Sequence, residues 1–326
     1  MTVVYAGIDE VGYGPIFGPL VIARSVFVAE GPAPADPLPC LWRLMQQAVC
    51  RRHVDKRRRI AVNDSKNLYS PATGIACLER GVLAFLDLLG HKPRHLDALL
   101  HSMAWDEPSR CMCREWYLDG SGGPAMPIKA DAKELDRARG RVARAAAKAG
   151  IRMEQASAAV VMEDRFNTLL DRLQTKGAVS WFFVSGHLRD IWAGYGRSCP
   201  RVVVDRQGGR SHYADLLQDS FPGAVVNRVK ETWSRSTYLI HEGERTMEVT
   251  FQVGSEEQHL PVAMASMIAK YLRELLLMRF HRYWLERAPG VRPTYGYFGD
   301  GRRFLKEIEH LVLSMGIAPD HFVRRR

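Results

Sequence analysis

Four acidic residues stand where a chain could put them to chemical use. Asp9 and Glu10 close the apolar run "VVYAGIDEVGYGP", Asp205 closes "RVVVD", and Glu274 lies in the long segment "AMASMIAKYLRELL". Carboxylates gathered at strand ends repel one another unless cations lie between them. An oxygen-only ligand set, without His or Cys, selects hard divalent ions, magnesium or manganese. Two such ions roughly 3.5–4 Å apart would activate a water and stabilise the leaving oxygen of an in-line phosphoryl displacement. Each acid also has a plainer reading. Strand-end acids are common in polar turns, and Lys270, one helical turn before Glu274, could simply pair with it.

The elements that must position these groups follow from patterning. Residues 2 to 9 and "PLVIARSVFVAE" predict two strands joined by the glycine-rich "EVGYGPIFGP". Successive strand side chains point to opposite faces, so Asp9 and Glu10 share a metal pair only if the chain bends, and Gly12, Gly14 and Pro15 supply a place to do so. The spacing predicts helices over "TGIACLERGVLAFLDLL" and "LPVAMASMIAKYLRELLLMRFHRYWLER". It predicts another over "KADAKELDRARGRVARAAAKAG", with Leu135, Ala138, Val142 and Ala145 on one stripe and Lys133, Arg137, Arg141, Arg144 and Lys148 on another. That basic stripe is either a solvated face or a phosphate contact. Residues 91 to 128 read as irregular, 158 to 192 as mostly helical, and "GAVVNRVK" and "EVTFQVG" as strands.

The 326 residues are 46% hydrophobic and suit one enlarged globular domain. No apolar stretch reaches the roughly 20 residues of a membrane span, and no signal peptide is apparent, so a cytoplasmic protein without membrane association is expected. Six scattered cysteines argue for reduced thiols. His95, His101, Cys111 and Cys113 could be imagined around zinc, although their spacing fits no common zinc pattern. The net charge of +10 favours a polyanionic partner.

Taken together, "GIDEVGYGPIFGPLV", "NDSKNL", "VVVDRQGG" and "AMASMIAKYLRELL" resemble, in the same order, the motifs of the type 2 ribonucleases H, ribonucleases HII and HIII. The resemblance implies a ribonuclease H-like α/β fold, a mixed five-stranded sheet flanked by helices. It implies that Asp9, Glu10, Asp205 and Glu274 bind two divalent ions, Mg or Mn. The implied reaction is endonucleolytic hydrolysis of the RNA strand of an RNA–DNA hybrid, leaving 5'-phosphates. Gly12-Tyr13-Gly14 stands where ribonuclease HII carries Gly-Arg-Gly. The match leaves a largely helical insertion at about 91–155 and a C-terminal helical part from about 260 within one catalytic domain.

Backbone amides of Gly12 to Gly14 could reach a ribose 2'-hydroxyl, Ser65 and Lys66 a phosphate, and Tyr13, Tyr295 or Tyr297 a sugar or base. Lys270 is expected near the same substrate, and no obligate protein partner is implied. A DNA-junction nuclease of the same fold, or a nucleic-acid-binding protein without turnover, are the alternatives.

Overall fold

The computed structural model describes residues 2–30, 38–70, 72–103, 114–118 and 123–325. Its strands are β1 (Thr2–Val11), β2 (Leu20–Glu30), β3 (Val49–Cys50), β4 (Ile60–Ala61), β5 (Ile151–Val161), β6 (Arg201–Asp205), β7 (Val225–Glu231), β8 (Arg235–Glu242) and β9 (Arg245–Gln252). Its α-helices are α1 (Leu41–Leu44), α2 (Ser65–Leu68), α3 (Ala76–Leu86), α4 (Leu96–Met103), α5 (Ala132–Lys148), α6 (Glu163–Leu173), α7 (Lys176–Tyr195), α8 (Ala214–Ser220), α9 (Leu260–Arg287) and α10 (Phe298–Ser314). None of the described helices is long and apolar enough to cross a membrane.

The main sheet runs β5–β2–β1–β6–β9–β8–β7. It is mixed, as expected: β1, β6 and β9 are parallel, and the other pairings are antiparallel. It has seven strands rather than five. The two strands not read from the sequence are β5, at one edge beside β2, and β8, between β9 and β7. β5 begins at Ile151, so the expected insertion at 91–155 runs into a strand of the sheet. Within it, α5 buries Leu135, Ala138, Val142 and Ala145, the stripe read from its spacing.

Two apolar layers cover the two faces. Tyr5, Val21, Ala23, Phe27 and Val203 pack with α3, α5 and α9, while Val4, Ala6, Ile8, Ile22, Val204 and Phe251 pack with α6 and α7. Odd-numbered residues of β1 therefore face α9 and even-numbered ones face α7, the period-2 alternation of a strand buried on both sides. Gly7 lets α9 approach. A Cβ there would lie 2.2 Å from the backbone of Pro261 and Val262, so any side chain would push the helix off the sheet. Ser25 Oγ fastens the same point by donating to the Pro261 carbonyl at 2.7 Å.

Candidate active site

β1 and β6 run parallel with Ile8 opposite Val204, so the next position on each sets Asp9 beside Asp205 at their C-terminal ends. Ligands gather at such strand ends because loops and helix starts converge there. Asp9 points toward α9. Its carboxyl is pushed well above its ordinary value, first by burial and then by Asp205 and Glu256, against hydrogen bonds from Ser266 and the Glu10 amide. The amide of Glu10 donates to Asp9 Oδ1 at 2.7 Å.

Glu10 points to the other face. It accepts a hydrogen bond from Ser180 Oγ on α7 and another from Gln207 Nε2 at 3.2 Å. Burial raises its pKa, with Asp205 adding to the effect. The expected bend between the two acids is not there: β1 stays paired with β2 as far as Val11 opposite Val21, and the chain turns only at Gly12, with φ +94. The carboxylates instead straddle the end of the sheet, with Asp205 near both. The alternation rule holds, and the site forms around the strand's end rather than on one face.

Glu256, rather than the expected Glu274, is the acid that the structure sets beside Asp205. Glu256 sits in the short turn between β9 and α9, beside Ser255, whose hydroxyl donates to Asp205 Oδ1 at 3.0 Å. Burial, then Asp205, then Asp64 push the Glu256 carboxyl up to about 7. Glu274 instead accepts from Lys270 Nζ at 2.6 Å, lies 3.9 Å from Arg273 and hydrogen-bonds Tyr69. The reason is helical rise: Ser266 touches Asp9, and eight further residues carry Glu274 about 12 Å along the axis. Lys270, expected at the substrate, is engaged with Glu274 and lies 4.3 Å from the centre of the Tyr69 ring.

The Ser-Lys pair does reach the cluster. The Ser266 hydroxyl lies 3.1 Å from Ser65 Oγ and also accepts the Ser65 amide at 3.4 Å. Asp64 caps α2 by accepting from the Lys66 amide at 3.0 Å. Burial works against the charge on Lys66, yet Asp64, Glu256, Asp9 and Asp205 hold its ammonium above the ordinary value. Its side chain is 83% exposed and its ammonium lies 3.8 Å from Asp64, so it is an exposed cation that faces the acids.

The glycine-rich loop over 12–19 is anchored from below. Arg324 donates to the carbonyls of Gly12 and Pro15, Arg273 to that of Phe17 at 2.9 Å, and Glu163 accepts from the Gly18 amide at 2.8 Å. Gly296, with φ +78, lies against Phe17, and its carbonyl accepts from Ile16 at 2.6 Å. Gly14 is exposed at the loop's crest, with Tyr13 half-buried beside it, and Tyr295 and Tyr297 are exposed.

Asp9, Glu10, Asp205 and Glu256 offer oxygen alone, and Asp205 raises the pKa of the other three despite their hydrogen bonds, so in donor chemistry they fit a hard divalent cation. In position the fit is incomplete. Among the described residues no three His, Cys, Asp or Glu side chains lie within joint reach of one ion. Ser180, Gln207, Ser255 and Ser266 hydrogen-bond carboxylate oxygens of the cluster. His95 Nδ1 accepts from the Ala98 amide at 3.2 Å, while Cys111 and Cys113 lie outside the described residues.

No family model and no curated protein matches the sequence. Among solved structures the likeness is to type 2 ribonucleases H. A chain of the PCNA:RNase HII complex from Archaeoglobus fulgidus is 16% identical, with 99% of this chain and 95% of that chain covered and a TM-score of 0.45. Ribonuclease H2 from Pyrococcus horikoshii OT3 is 16% identical, with 99% and 93% covered and a TM-score of 0.46. Bst-RNase HIII in complex with Mn2+ is 15% identical, with 93% and 62% covered and a TM-score of 0.38.

Proposed function

We propose that this protein is a divalent-metal-dependent endonuclease that hydrolyses the RNA strand of RNA–DNA hybrids. One observation carries the reading: Asp9, Glu10 and Asp205 stand at the ends of β1 and β6, with Glu256 beside Asp205 in the turn after β9, next to a glycine loop and a Ser-Lys pair. Acids whose repulsion is only partly offset weaken a fold unless they serve a ligand. Asp9, Glu10, Asp205 and Glu256 would hold Mg or Mn, which supplies Lewis acidity and an activated water when bound.

The chain's own groups do the rest. Ser255, Ser266, Ser180 and Gln207 orient the carboxylates. Lys66 attracts the phosphate to be cleaved, and the amides of the Gly12–Gly14 loop, held rigid by Arg324, meet the ribose 2'-hydroxyl that separates RNA from DNA. Cleavage leaving a 5'-phosphate and a 3'-hydroxyl follows from water attacking in line with the 3'-oxygen as leaving group.

The second reading, a hybrid-binding protein without turnover, draws on the spread of the carboxylates. One assay separates the two. Wild type and Asp9→Asn are incubated with a long hybrid, a duplex with one embedded ribonucleotide and a DNA duplex, with magnesium, manganese or chelator. Metal-dependent cleavage of the hybrid by wild type alone, with hybrid affinity kept in Asp9→Asn, supports the nuclease. Binding without cleavage in any metal sinks it.

A further inference from the structure

Two basic segments that the candidate site does not use are brought together by the fold. Residues 51–59, "RRHVDKRRR", carry six Arg or Lys against one carboxylate, Asp55. Arg59 takes that carboxylate in an ion pair of 2.9 Å, holding Asp55 at about 2. The segment meets the basic stripe of α5: Arg141 donates to the Arg57 carbonyl at 3.2 Å, and Arg58 pairs with Glu134 at 2.8 Å. Glu134 is shared with Arg137 at 2.9 Å. An open groove of about 790 Å³ lies here, its walls including Arg43, Arg51, Arg52, Lys56 and Arg57. Trp42 forms part of the wall, with the Arg51 guanidinium 4.1 Å from its ring centre.

The groove adjoins the acid cluster. β3 and β4 pair in parallel, and Asn63 Nδ2 donates to the Arg51 carbonyl at 3.0 Å. Asn63 is two residues from Ser65, at most about 7 Å of chain, and Ser65 touches Ser266 beside Asp9. A rod-like polyanion is long enough to engage the acid cluster and the groove together.

The geometry points to a phosphate-backbone docking surface in this groove, formed by Arg52, Lys56 and Arg57, that seats a nucleic-acid duplex whose adjoining segment lies at Asp9. The inference rests on the nuclease reading and adds to it where the duplex runs. A duplex is favoured over a flat anionic surface because the cations line a concave groove, joined to the acid cluster through the Arg51–Asn63 and Ser65–Ser266 hydrogen bonds. Each phosphate neutralised releases counterions and contributes roughly 0.9 to the slope of log affinity against log salt.

The test is anisotropy of a labelled RNA–DNA hybrid, in chelator, with wild type and Arg52→Gln/Lys56→Gln/Arg57→Gln. All three side chains are exposed, so the fold tolerates the change. The variant's salt slope should be shallower by about 2.7, so that between about 50 and 200 mM salt wild type loses about 40-fold more affinity than the variant. Turnover at saturating hybrid should stay within about twofold, since no group at the acid cluster is altered. Equal slopes overturn the surface, as does binding to anionic vesicles that depends on these residues while hybrid binding does not. If wild type shows the slope and the variant loses it, but neither cleaves hybrid with any metal, the surface stands and the nuclease reading falls.

Discussion

Replacing Gly7 by Ala tests whether the seating of α9 on β1 sets the acid cluster. The new Cβ would stand 2.2 Å from Pro261 C and Val262 N. Carbon contacts are comfortable at about 3.5–4.0 Å, so helix and strand must part by about 1.5 Å. Overpacking of this kind costs about 1–3 kcal/mol. The same displacement carries Glu256 and Ser266, at and just before the helix's first turns, away from Asp9, and a misplacement of about 1 Å can cost 10²-fold in rate. Thermal unfolding and hybrid cleavage should both suffer, with activity falling by about two orders of magnitude in protein that is still folded. Gly194→Ala, on α7 and away from the acids, is the control, because a Cβ there meets nothing within 4 Å. Wild-type melting and cleavage in Gly7→Ala would refute the reasoning.

The two glutamates should behave in opposite ways. Glu256→Gln relieves repulsion and leaves or raises the melting temperature, yet lowers cleavage by about 10² or more. Glu274→Gln leaves the half-buried Lys270 without its carboxylate, costing about 1–3 kcal/mol of stability, while cleavage per folded molecule stays within about tenfold. His187, fully buried, is held down to about 3 by burial and then by Arg24, against its hydrogen bond to the Ile22 carbonyl. Its neutral form is the folded one, so its contribution is complete above the unfolded value of about 6.5 and fades as pH falls toward 3, by about 1.4 kcal/mol per unit. The difference in denaturant stability between wild type and His187→Gln should therefore shrink from pH 7 to pH 5, by about 2 kcal/mol. Arg324→Ala strips the Gly12 and Pro15 carbonyls of a donor, at about 1–3 kcal/mol, and should speed amide exchange across residues 12–18.

Local periodicity made much of this structure legible. The first strand, which carries Asp9 and runs two residues past it, its pairing with β2, the stripe of α5 and the extent of α9 all follow from patterns of 2.0 and 3.6 residues. β5 was hidden because "ASAAVV" is buried on both faces and small, so it lacks alternation and reads as part of a helical region. β8, "RSTYLIHE", was masked by its polar residues, and without it the sheet counts short. Glu256 was missed for a different reason. It lies in the polar turn "GSEEQH", where acids are ordinary, and only the end of β9 running parallel to β6 marks that turn as neighbour to Asp205. The bend expected after Asp9 came from assuming that both acids must share one face, which the end of a sheet does not require.

Asp9 answers to Ser266 on one side of the molecule and Glu10 to Ser180 on the other. The centre thus gauges how well both halves of a sandwich are seated, and repacking either half alone should leave one carboxylate in register while its sequence neighbour drifts. Adjacent residues would then lose their roles separately, so scanning substitutions through α7 and α9 can apportion the work of Glu10 and Asp9 without altering either.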